Sequence, residues 1–195
     1  MPRCPRHNLS IRSRFDMIMR MRRIATTGAA LALITMAGPA VAGPKAEIVD
    51  FGVVAGRLVD SQPEAGQRAL EPVRAMQKLR YIERSDRIEA RLCRNFGITV
   101  RLIPTPPFRM PDRVEVRVLH PDLTRPDGRQ SAETRFPSYV VDGLSHAGFT
   151  FEHDWEMAPG PWTMIVSLRG DEIARKDFTV TLPPPGAPKS DCGIG

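Results

Sequence analysis

Arg113-Val114-Glu115-Val116-Arg117-Val118 is the stretch that decides the fold. Valine recurs at every second position and a charged residue fills each place between. A period of two sends one face of an extended chain into a core and the other into water, whereas a helix would repeat its apolar residues every three or four. Two later segments carry the same pattern. Trp162, Met164, Val166 and Leu168 alternate with Thr163, Ile165 and Ser167, and Phe178, Val180 and Leu182 alternate with Asp177, Thr179 and Thr181. Arg169-Gly170-Asp171 between them is tight-turn chemistry, so these two strands form a hairpin.

Working outward, Ile88, Ala90 and Leu92 are in phase with Phe96, Ile98, Val100 and Leu102. Residues 87–103 therefore read as one long strand or two, with Asn95 and Gly97 marking a bulge or bend. Further strands are expected at 46–58, 77–84 and 147–153. Pro63, Gly66 and Pro72 leave room for one short helix within 60–76. Pro104-Thr105-Pro106-Pro107 cannot ladder as a central strand. Residues 121–146 are polar and read as a long loop, and the prolines from Pro183 to Pro188 begin an extended tail. About seven short strands with almost no helix describe an all-β chain, an antiparallel β-sandwich over residues 43–185 followed by a tail at 186–195.

Ahead of this domain, residues 1–42 read as a cleavable signal peptide. Met19-Arg20-Met21-Arg22-Arg23 is a basic start, Ile24–Met36 is uncharged, and Ala40-Val41-Ala42 presents small residues to signal peptidase. The apolar run covers 13 residues, short of the roughly 20 that a spanning helix needs. Met17 would serve as an alternative start. The mature chain would begin at Gly43, periplasmic or secreted, with no membrane span.

Removing the leader changes the electrostatics. The whole sequence has 28 Lys+Arg against 22 Asp+Glu, but residues 1–42 hold seven arginines and one aspartate, which leaves 21 of each sign. A near-neutral domain has no field for polyanions, so nucleic acid is excluded as a partner. The local run of eight basic and four acidic residues over 68–94 has interleaved signs and no aromatic ladder, and reads as a solvated face. Two cysteines remain after processing, Cys93 and Cys192, with no metal-ligand spacing around either. In an oxidising compartment they are expected to form a disulfide that ties the tail to the domain.

Phe151-Glu152-His153-Asp154-Trp155-Glu156-Met157-Ala158-Pro159-Gly160-Pro161-Trp162, followed by the hairpin and Phe178-Thr179-Val180, resembles the closing signature of the bacterial DUF3859 family. Phe51-Gly52, Phe96-Gly97, and His120-Pro121 with Pro126 are similar to its other landmarks. The resemblance covers residues 46–182 and implies an immunoglobulin-like sandwich, with no established activity and no catalytic residues to carry over. The polar 121–146 segment and the cysteine-bearing tail depart from that family's pattern.

Candidate chemistry is sparse. His146, Glu152, His153 and Asp154 are suitable metal ligands by type, but Glu152 and His153 are neighbours on an expected strand and face opposite ways. Ser131, Ser138 and Ser145 lack the elbow motif of a serine hydrolase that would recruit His120 or His146. No cofactor is implied. Trp162 belongs to the apolar face of its strand and Trp155 precedes a Pro-Gly corner, which makes Trp155 the exposed aromatic of the pair. The reading is a non-catalytic binding module of the cell envelope that meets an envelope protein or a cell-surface polymer. Its recognition residues are placed in the 121–146 loop and its neighbour: Arg135, Phe136, Tyr139 and Trp155. A small periplasmic enzyme using a metal or a serine, and a strand-addition chaperone or pilus-like module, are the alternatives.

Overall fold

The structure, a computed structural model, describes residues 45–60, 66–104, 106 and 109–192. The signal peptide expected over residues 1–42 lies outside the described residues.

Among the described residues nine strands form two sheets. One has the order β2-β1-β4-β7, built from β1 (Lys45–Val59), β2 (Ala75–Glu83), β4 (Asn95–Ile103) and β7 (Leu144–Thr150). The other has the order β3-β9-β8-β5-β6, from β3 (Arg87–Glu89), β5 (Arg113–Thr124), β6 (Gln130–Tyr139), β8 (Gly160–Leu168) and β9 (Asp171–Thr181). Every pairing is antiparallel except β3 with β9, which run parallel. The alternating residues named above meet between the sheets: Phe96, Ile98 and Val100 from one side, and Val116, Val118, Trp162, Met164 and Phe178 from the other, are buried in a single core. Trp162 sits at its centre, with ring centroids of Phe149 at 4.9 Å, Phe151 at 5.6 Å and Phe96 at 5.7 Å. Its indole N–H donates to the Ala158 carbonyl at 3.0 Å, so the one polar atom of the ring is satisfied. The β8–β9 hairpin turns at Arg169 and Gly170, both at positive φ (57° and 92°), the geometry that a two-residue turn requires.

One open reading is resolved and two expectations need correction. Residues 87–103 are two strands in different sheets, and the chain changes sheet around Cys93 (φ 65°), before Asn95. Periodicity shows that Ile88 and Ile98 both face a core, but not that they reach it from opposite sheets. Secondly, 121–146 is no loop. β5 continues to Thr124, a turn follows with the Gly128 N–H donating to the Arg125 carbonyl at 2.9 Å, and β6 and β7 fill most of the remainder. β6 is an edge strand whose buried positions are Thr134 and Phe136, so it needs a single large apolar residue and reads as polar. His120-Pro121 sits where the β5–β6 register shifts between Leu119 and Leu123, which lets the strand hold a proline. Thirdly, among the described residues of 60–76 there is no helix: Arg68 bridges to Arg135 through two main-chain bonds, of 2.8 and 2.7 Å, and β2 begins at Ala75.

Cys93 and Cys192 are bonded, with Cα atoms 5.0 Å apart. The tail is further held by a parallel bridge of Leu92 with Ser190 and by a 2.6 Å bond from the Arg94 guanidinium to Asp191. Two of the sheet edges are guarded. β6 is covered at Arg68, and β2 is broken by two register shifts and by Lys78 at φ 53°.

Candidate functional site

β4 and β7 pair with Thr99 opposite His146, Gly97 opposite Gly148 and Asn95 opposite Thr150. Since Phe96, Ile98 and Ala147 turn inward to the core, these residues turn out. They form the floor of a groove of about 600 Å³ on the outer face of the first sheet, within the range of ligand sites. Val73–Leu79, entering β2, make one wall. Pro137, Ser138 and Tyr139 of β6, with Val141 and Asp142 of the following turn, make the other.

The floor depends on glycine. A Cβ on Gly97 would stand 2.2 Å from the Ala147 carbonyl oxygen and 2.6 Å from the Gly148 Cα, closer than atoms approach. At Gly148 a Cβ would stand 2.4 Å from Nε2 of His146, so that edge of the imidazole sits over the glycine.

His146 Nδ1 faces the Tyr81 hydroxyl at 3.4 Å, and that hydroxyl meets Thr99 Oγ1 at 3.0 Å. The Asn95 amide donates to Thr150 Oγ1 at 2.7 Å. Two polar atoms of the floor are shut off from solvent with no hydrogen-bond partner, Asn95 Oδ1 and His146 Nε2. Burial pushes the His146 imidazole down to about 4 against a smaller opposing pull from the Ile98 carbonyl, so it is neutral at physiological pH. Burial likewise pushes the Tyr81 phenol well above its ordinary value, and it keeps its proton. The floor is therefore polar but uncharged.

Of the four residues singled out from sequence, the groove takes two. Tyr139 stands on its rim, 62% exposed, and Phe136, 9% exposed, lies at its base. Both belong to a strand and not to a loop. Arg135 is engaged elsewhere, by Glu133 at 2.8 Å and Glu115 at 3.6 Å. Trp155 is half-buried in a 3-10 turn, Asp154–Glu156, where it packs on the core and stacks on His153 at 5.4 Å. It is thus not the exposed aromatic that its position before a Pro-Gly corner suggests. It lines a small cleft that adjoins the groove, beside Glu156, whose carboxylate burial raises to about 7 although it accepts the N–H groups of Glu152 (2.6 Å) and His153 (2.8 Å).

The catalytic alternatives find no assembled set among the described residues. No group of three or more His, Cys, Asp or Glu is placed to hold a metal ion. Ser145 donates to Ser138 at 2.9 Å, and Ser138 donates to the main-chain carbonyl of His146 at 2.7 Å, not to its ring. Ser131 donates to the Glu133 carbonyl, and His120 is buried against Trp162, with one ring nitrogen at the Pro121 carbonyl and the other at Thr134. Asn95 and Thr99, with Tyr81 that meets Thr99 and His146, are residues of the site that the sequence reading missed. Their only local signal was polar residues at the outward places of apolar strands.

Two packed sheets, largely antiparallel, around one aromatic-rich core define an immunoglobulin-like β-sandwich. A solved immunoglobulin-like protein from Pseudomonas aeruginosa is similar in fold, with a TM-score of 0.50 and 19% sequence identity over 73% of this chain and 99% of that one. No curated protein matches the chain. The chain belongs to the DUF3859 family, a domain of unknown function, whose match spans residues 43–180.

Proposed function

We propose that this protein is an exported, non-catalytic binding module of the cell envelope, and that it holds an envelope protein or a cell-surface polymer in the groove over β4 and β7. The groove carries the reading: it is of ligand size, its floor is polar and uncharged, and an aromatic side chain stands exposed on its rim. The disulfide supports export, because such bonds persist in oxidising compartments. No helix among the described residues is long and apolar enough to cross a membrane. The strand-addition alternative wants a long regular free edge; β2 is bulged, β6 is covered at Arg68, and β7, seven residues long, has its His146 carbonyl taken by Ser138.

The test compares wild-type protein with Tyr139→Glu, each cross-linked in intact envelopes and recovered by a C-terminal tag. The expected result is recovery in the extracytoplasmic fraction, starting at Gly43, with a cross-linked envelope component that the variant loses. Recovery in the cytoplasm with residues 24–42 retained would refute export. Equal capture by the variant would refute the groove as the binding surface.

A further inference from the structure

We infer that the groove is a carbohydrate site: it takes a neutral sugar chain, one ring lying on Tyr139, with neighbouring hydroxyls pairing to Asn95 Oδ1 and His146 Nε2 once the imidazole turns up from its seat over Gly148. The inference rests on the groove being the binding surface proposed above, and it names the chemistry of the ligand.

The rim supplies a surface for the C–H face of a pyranose. Tyr139 is 62% exposed and Val141 beside it 66% exposed, large side chains that the core does not require. An aromatic body with a polar tip suits a partner that is apolar on one face and wet at its edge. The walls do not select for charge. Arg74 is engaged by Asp60 at 3.2 Å and by Glu152 at 3.3 Å, while Lys78 and Asp142 carry opposite signs. The polar side chains of the floor are hydroxyls, an amide and a neutral imidazole.

The two unpartnered atoms refine the choice. Asn95 Oδ1 can only accept, and His146 Nε2 holds either the proton or the lone pair of the ring. A sugar hydroxyl donates and accepts, so adjacent hydroxyls satisfy this pair in either tautomer. A peptide main chain offers N–H and C=O in fixed alternation, whereas neighbouring sugar hydroxyls each do both, which suits a pair of atoms of which one only accepts. In the present conformation water reaches neither atom. Buried polar groups without partners are uncommon, and a conformer that pairs them is favoured by any ligand able to do so.

The experiment titrates 15N-labelled exported protein with two neutral probes, cellohexaose and N-acetylchitohexaose, followed by amide and imidazole NMR. At least one probe should give saturable shifts at Thr99, Tyr139 and Gly148 together with a change at the His146 ring nitrogens. Tyr139→Ala, an exposed position that leaves the core intact, should weaken binding by about tenfold or more. Absence of groove shifts with both sugars at millimolar concentration would overturn the inference, as would shifts confined to another surface. If both sugars fail while Tyr139→Glu still abolishes envelope capture, the carbohydrate chemistry is wrong and the groove remains the binding surface, filled by a protein.

Discussion

The imidazole of His146 occupies the place that a side chain at position 148 would fill, since a Cβ on Gly148 would lie 2.4 Å from its Nε2. The two residues share one outward face of β7, two positions apart, and the glycine exists as the seat of the histidine.

Gly148→Ala should therefore displace the ring, which can yield, and press less severely on the Phe96 carbonyl at 3.1 Å. We expect a loss of about 1–3 kcal/mol, the usual cost of overpacking. Gly97→Ala meets only main-chain atoms, at 2.2 and 2.6 Å, and should cost more. Urea denaturation of both variants checks the order, and equal midpoints would contradict the register drawn across β4 and β7.

Trp162→Ala removes a fully buried side chain ringed by Phe96, Phe149 and Phe151 and should cost about 3–5 kcal/mol. A loss below about 1 kcal/mol, the range of exposed positions, would place the indole outside the core.

The Cys93–Cys192 bond spans a sequence separation of 99. The chain-entropy model assigns such a loop about 4–5 kcal/mol. The double variant Cys93→Ser, Cys192→Ser should unfold at clearly lower denaturant, and reductant should move the wild type toward it. Identical curves with and without reductant would show that the bond contributes nothing to folding.

Glu156 and His146 act on pH stability with opposite sign. A carboxyl raised to about 7 binds more protons folded than unfolded, so its contribution is lost as pH rises from about 4.5 to 7. An imidazole lowered to about 4 binds fewer protons folded, so stability is gained as pH rises from about 4 to 6.5. Each shift amounts to about 3 kcal/mol at most, and in the wild type they offset one another. Glu156→Gln keeps an oxygen for the two main-chain N–H groups and removes the falling limb, so its thermal midpoint should climb more steeply between pH 4.5 and 6.5. Parallel profiles for the two proteins would show that Glu156 titrates normally.

Much of the sandwich was legible in the chain. The valines of β5, the even-numbered residues of β8 and β9, and the Arg169-Gly170 turn each state their role locally, because an alternating pattern writes inside and outside directly into the sequence. β6 did not, because an edge strand packs only a sparse inner face and its one large buried residue, Phe136, cannot make a period. Tyr139 and Phe136 were found as recognition residue types but assigned to a loop for that reason.

Pattern alone determined most of the buried residues of β5, β8 and β9 and where the last hairpin turns. Pairing decided the rest. That β3 and β4 belong to different sheets, that Gly97 meets Gly148, and that Asn95 and His146 share one floor between β2 and β6 all follow from strand order and register. Those are set by the packing of segments up to about a hundred residues apart in the chain. Local periodicity tells a strand which way to face, whereas only the closed core tells it which neighbour to face with.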